Sequence, residues 1–156
     1  MAATTQQLEQ QIKTLLFAAE DMVQAAAAAD ALSAESDDVS KMRAFETALV
    51  TCYARPFTKG TGVGPLRPKK WVPAGKPRQL HHTLMLLRRK VYAHTDADSG
   101  RSARIEPVTG SDGVVHLTIA GGWWAFPRDW LPDIVTLCVT QAVRFRQEAV
   151  KLYSKL

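Results

Sequence analysis

The sequence predicts an all-α fold: a four-helix bundle with one small β-hairpin inserted between helices three and four. Three observations carry this. Apolar residues recur in alternating steps of four and three along four stretches, the pattern of helices that bury one face. Two short strand-like runs flank a Gly110-Ser111-Asp112-Gly113 turn. The chain has 156 residues, the size of one domain, so residues 1–156 are expected to form a single unit. Such a unit buries enough core to fold without disulfides or metals.

The first helix carries Leu8, Ile12, Leu15, Ala19, Met22, Ala26 and Ala29 on one face. Thr4 or Thr5 caps its start. The run Ala25 to Ala29 is the only low-complexity stretch and belongs to this helix. The second helix follows the turn-like Ser33 to Asp38 and carries Met42, Phe45, Leu49 and Cys52. It ends where Pro56 cannot continue it. Residues 58–78 are rich in Gly, Pro, Lys and Arg and read as a loop. Loops of that length are often functional or mobile. The third helix carries Leu80, Leu84, Leu87, Val91 and then His94, and ends near Asp98-Ser99-Gly100. The hairpin follows, with Arg104 to Val108 as one strand and Val114 to Ile119 as the other. The fourth helix starts near Pro127 or Pro132 and carries Leu131, Val135, Cys138, Ala142, Phe145, Ala149 and Leu152. Stripes of this kind pack at shallow angles in a bundle. The cluster Trp123-Trp124-Ala125-Phe126-Pro127 is expected to cap the bundle end.

Composition excludes several classes. No apolar run approaches the ~18 residues of a membrane span, so no membrane partner is expected. Met1 to Gln11 lacks the basic-then-apolar pattern of a signal peptide, which points to the cytoplasm. Cys52 and Cys138 have no metal-ligand spacing and fall at apolar helix positions, so buried free thiols are expected. Adjacent His81 and His82 point about 100° apart on a helix and make no natural chelate. No metal and no cofactor is expected. Gly60-Thr61-Gly62-Val63-Gly64 lacks the preceding strand and the Gly-Lys-Ser/Thr ending of a phosphate loop.

The net charge of +5 hides an uneven distribution. Residues 1–46 hold 3 basic and 8 acidic side chains, and residues 96–156 hold 7 of each. Residues 47–95 hold 10 basic side chains and no acid. These are Arg55, Lys59, Arg67, Lys69, Lys70, Lys76, Arg78, Arg88, Arg89 and Lys90. An uninterrupted basic segment attracts a phosphate backbone through counterion release. The plainer reading is a solvated segment balanced by the acidic first helix.

The string Leu86-Leu87-Arg88-Arg89-Lys90-Val91-Tyr92-Ala93-His94-Thr95-Asp96 sets cations, a phenol and an imidazole at one helix end. Guanidinium groups hold phosphate and stabilise transition-state charge. An imidazole exchanges protons near neutral pH. The string resembles the signature of the HEPN superfamily (higher eukaryotes and prokaryotes nucleotide-binding domains): an Arg, four to six residues, and a His near a helix end. Arg88 and His94 fit with five residues between, and Arg89 and His94 with four. The Leu-Arg-x-Lys-x-Tyr-Ala-His arrangement favours Arg88 as the family's arginine.

The resemblance implies a small helical bundle and a metal-independent endoribonuclease acting as a homodimer. It implies RNA as substrate, a toxin or phage-defence role, and an antitoxin protein as a further partner. Arg88 and Arg89 would bind phosphate, and His94 would move the proton. Tyr92 and Lys90 would contact RNA, with Arg55, Lys59, Arg67, Lys69, Lys70, Lys76 and Arg78 lining its approach. Two positions depart from the pattern. Arg89 stands where the family commonly has Asn or Asp. Asp96 stands where toxins regulated by a nucleotidyltransferase often have Tyr. On a regular helix Arg88 and His94 lie ~9 Å apart axially and ~120° apart in direction. Either the helix unwinds after Ala93 or two chains complete one site. A non-catalytic nucleotide-, RNA- or protein-binding module and a plain dimerisation protein remain the alternatives.

Overall fold

The computed structural model describes residues 4–35, 37–59, 65–89, 103–109, 115–121 and 127–156, and it is mostly helical. Helix α1 runs Thr5–Ala34. Of the two threonines at its start, Thr4 is the cap. Its hydroxyl accepts from the Gln7 amide at 3.3 Å, and the Gln7 side chain accepts from the Thr4 amide at 2.9 Å. This reciprocal box satisfies two N–H groups that the helix cannot. Glu35 then turns extended and ends α1.

Helix α2 runs Val39–Ala54. Asp38 caps it, accepting from the amides of Ser40 at 3.0 Å and Lys41 at 3.1 Å. The Lys41 amide bond is the main reason the Asp38 carboxyl sits below its usual pKa. The α-helix stops just before Pro56, and Arg55–Phe57 form a single 3₁₀ turn.

The stretch 58–78 is not the loop its composition predicts. Residues Gly60 to Gly64 lie outside the described residues, but the rest is anchored. Pro68–Trp71 form a one-turn helix, α3. Trp71 and Val72 are buried. The Leu66 amide donates to the Pro56 carbonyl at 3.0 Å. Arg144 donates to the Trp71 carbonyl at 2.5 Å, and Arg78 donates to the Val72 carbonyl. Two apolar side chains and a set of satisfied carbonyls outweigh the polar composition.

Helix α4 begins earlier than the apolar stripe suggests and runs Lys76–Leu87. Gly75 enters it with φ +82° and ψ −144°, a backbone region that is essentially glycine-only. The α-helical geometry described for this helix runs to Leu87, and its expected end near Asp98 lies outside the described residues. At Arg88 and Arg89 the helix widens into a π-type turn. Leu87 is buried, whereas Arg88 is half-buried and Arg89 exposed, so the described helix stops burying side chains where the cations begin. Val91, His94 and the Asp98-Ser99-Gly100 turn lie outside the described residues.

Strands β1 (Ala103–Thr109) and β2 (Val115–Gly121) pair antiparallel, with Ile105 opposite Ile119 and Val108 opposite His116. The Gly110-Ser111-Asp112-Gly113 turn and the aromatic residues Trp123, Trp124 and Phe126 lie outside the described residues. Helix α5 runs Leu131–Tyr153, with Pro132 in its first turn. A 3₁₀ turn at Arg128–Trp130 leads into it.

The most extensive helix contact is between α1 and α5. They run antiparallel: Arg128 before α5 donates to the Glu35 carbonyl after α1 at 2.6 Å. Buried Ala18, Ala19, Ala25, Ala26, Ala28 and Ala29 let neighbours approach α1 closely. Helices α2 and α4 also contact each other, and rings join the elements. Phe57 meets the His81 ring edge-on at 4.8 Å, and Trp71 meets Phe145 at 4.9 Å. Cys52 and Cys138 are buried free thiols.

One core side chain is anomalous. Gln141 is fully buried, and neither its Nε2 nor its Oε1 has a hydrogen-bond partner. An unpaired buried amide costs about 1–3 kcal/mol. Gln141→Met keeps the volume and removes both polar atoms. Urea unfolding should show the variant more stable by about 1 kcal/mol; a loss of stability would show that the amide is paired after all.

Candidate functional site

The C-terminal end of α4 borders a cleft of 530 Å³. Thr58 lines it from the segment after α2, and His81, His82, Met85, Leu86, Arg88 and Arg89 line it from α4. His81 and His82 sit in the regular part of α4, and Arg88 and Arg89 follow in the π-type turn at its end.

Arg88 is half-buried and Arg89 exposed. Among the described residues, neither guanidinium group has a hydrogen-bond or ion-pair partner. The Arg88 amide donates back to the Leu84 and Met85 carbonyls, which holds its backbone while the guanidinium is left for the cleft.

The imidazole of His81 is buried and sits 3.0 Å through Nδ1 from the Tyr53 hydroxyl. Burial pushes its pKa down to about 4, with His82 and Arg78 adding to the shift. Burial pushes the Tyr53 hydroxyl up, and Cys138 up to about 12. All three groups are neutral near pH 7. The Tyr53–His81 bond fixes α4 against α2. His82, whose ring centroid lies 5.7 Å from that of His81, is exposed.

The remaining expected RNA contacts do not form one patch. Arg55 pairs with Asp21 of α1. That carboxyl is raised by burial, against the lowering pull of Arg55. Lys70 reaches Glu148 at 3.4 Å and lies 4.7 Å over the Trp71 ring. Lys76 pairs with Asp133 at 2.5 Å. Arg78 is committed to the Val72 carbonyl. Arg67 and Lys70 line a separate cleft of 490 Å³ with Gln11, Thr14 and Glu148. Lys59 and Lys69 are exposed. Lys90, Tyr92 and His94 lie outside the described residues.

Sequence reasoning missed Thr58 and the two histidines as neighbours of Arg88 and Arg89. Their shared helix, α4, was the available signal for His81 and His82; Thr58 had none, since it arrives through the fold. Among the described residues, no three His, Cys, Asp or Glu side chains are placed to hold a metal ion. None of the described helices is long and apolar enough to cross a membrane. Comparison with protein-family models, curated proteins and solved structures finds no match.

The His81 shift has a defined sign. A folded-state value of about 4 against an ordinary 6.5 means the stability it contributes is full above pH 6.5. That stability is lost as pH falls from 6.5 through 4. Between pH 7 and pH 4.5 the loss from His81 should be on the order of 2 kcal/mol. Denaturation of His81→Gln at both pH values should show a smaller difference than the wild type. An equal difference would assign the acid sensitivity elsewhere.

Proposed function

We propose that the chain is a metal-independent endoribonuclease of HEPN type, a four-helix bundle working as a homodimer in a toxin or phage-defence setting. The observation that carries the reading is the pair Arg88 and Arg89. Two guanidinium groups without described partners open on a cleft at the end of α4. His94 follows Arg88 with five residues between, in the spacing the resemblance requires.

In this reading Arg88, helped by Arg89, holds the scissile phosphate and offsets charge in the transition state. His94 takes the proton of the 2′-hydroxyl or gives one to the leaving 5′-oxygen. The 2′-oxygen attacks phosphorus, the P–O5′ bond breaks, and the products carry a 2′,3′-cyclic phosphate and a 5′-hydroxyl. Val139, Val143 and Val150 lie exposed along α5 at spacings that share one face. With the exposed Arg146 between them, they offer a partly apolar face for a second copy. An antitoxin protein is a further expected partner.

A non-catalytic binding module is the second reading. It is favoured by Arg89 in place of the Asn or Asp common after the family's arginine. The two readings separate in one experiment. Purified protein incubated with cellular RNA in EDTA should release fragments with cyclic-phosphate ends. Arg88→Ala and His94→Ala should each lower the rate by about 100-fold or more. Salt-sensitive RNA binding with no product at high protein concentration would select the binding module.

A further inference from the structure

We propose that His82 forms a second subsite of the α4 cleft, one that holds the base of a single-stranded RNA nucleotide next to the phosphate gripped by Arg88 and Arg89. This rests on the reading of the cleft as an RNA site. Three observations lead to it. His82 is exposed and lines the same cleft as the two arginines. His82 precedes the arginines along α4, whose regular turns run to Leu87, so a strand lying along the cleft meets the ring and the guanidinium groups in succession. Met85 and Leu86 line the stretch between them, and Leu86 is 45% exposed. An apolar surface between a cation and an aromatic ring suits a base or ribose better than a second phosphate. Single-stranded RNA presents unstacked bases that stack on aromatic rings, histidine included.

The neighbours of His82 support a fixed ring. His81 is locked by its bond to Tyr53 and by the edge-on contact with Phe57. It lies beside His82 at a ring-plane angle of 65°. His82 therefore rests against a rigid, neutral ring on one side and faces the cleft on the other. A second cation would draw another phosphate; an imidazole beside apolar side chains selects the flat face of a base.

The test separates binding from cleavage with a short single-stranded 2′-O-methyl oligoribonucleotide, which lacks the attacking hydroxyl. His82→Ala should bind it about 5- to 100-fold more weakly than wild type, the range of one lost base stack. His82→Phe should restore most of the affinity, because the stacking face returns. The slope of log affinity against log salt should be unchanged in His82→Ala. Arg88→Ala should reduce it by about 0.7, the value for one phosphate contact on a single strand. Since His82 is exposed, both substitutions leave the core intact. Wild-type affinity in His82→Ala, or loss of salt slope in that variant, would overturn the subsite. If ordinary RNA is still cut in EDTA in that case, the ribonuclease reading stands and only the subsite falls. If the oligonucleotide binds through His82 but RNA is never cut, the subsite stands and the ribonuclease reading falls. No binding by the wild type at low salt would overturn both.

Discussion

The bond between the Tyr53 hydroxyl and His81 Nδ1 is the constraint on which the cleft depends. Both side chains are buried, in surroundings made of rings and aliphatic groups. A hydrogen bond there contributes about 1 kcal/mol net, but an unmade one leaves a donor and an acceptor stranded at a cost of about 1–3 kcal/mol. That asymmetry gives the contact directional force. Helix α4 has only 12 residues, too few to be stable alone in water. Its direction is set by what it packs on. Tyr53 reaches it from α2, Phe57 closes on the same imidazole, and Phe145 lies 6.5 Å beyond Phe57 toward Trp71. One chain of rings thus links α2, α3, α4 and α5. Turning α4 about its axis would break the hydrogen bond before it moved the arginines far.

Folding also sorts the charge. The segment of 10 cations without an acid looks uniform along the chain and is not uniform in space. Arg55 is taken by Asp21, Lys70 by Glu148 and Lys76 by Asp133. Only the first of those partners comes from the acidic α1; the other two come from α5. The plainer expectation, balance by the first helix, therefore accounts for one cation. Surface pairs of this kind contribute little stability, typically below about 1 kcal/mol each. Their consequence is for binding: a paired cation offers less to a phosphate strand than a free one. Among the described residues, the field that remains is contributed by Lys59, Arg67, Lys69, Arg88 and Arg89, and two of these stand together at the α4 cleft.

What was legible in the sequence follows from periodicity. The stripes in α1, α2 and α5 are long enough for steps of four and three to be unmistakable, and the caps and prolines mark their ends. Two features escaped for physical reasons. Trp71 and Val72 are only two apolar residues in a polar stretch, and no period can be read from two. Their burial depends on Arg144, which lies 73 positions away in the chain. In α5 the buried set includes Ile134, Leu137 and Gln141 beside the narrower stripe read from sequence. The helix is covered from two sides, by α1 and by the α3–α4 segment, so its buried arc is wider than a one-sided stripe. The cleft was half legible. Arg88 and Arg89 stand out by composition and by resemblance. Thr58 arrives only because the 3₁₀ turn after α2 brings the chain back over α4.

The widening of α4 at Arg88 changes the geometric problem posed by the Arg88–His94 spacing. The expected separation of ~9 Å and ~120° assumes 3.6 residues per turn from one residue to the other. That assumption already fails at Arg88 itself, where the turn is of the π type. The choice between an unwound helix and a site shared by two chains therefore does not follow from helical periodicity. It follows from which groups can meet at the cleft. Arg88 is fixed there by its backbone bonds to Leu84 and Met85, and His82 lines the same cleft from earlier in the helix. Thr58 lines the cleft from the segment after α2. π-type turns recur at functional sites because the extra residue frees a backbone group and redirects side chains. Here it coincides with the point where the helix stops burying leucines and starts presenting cations.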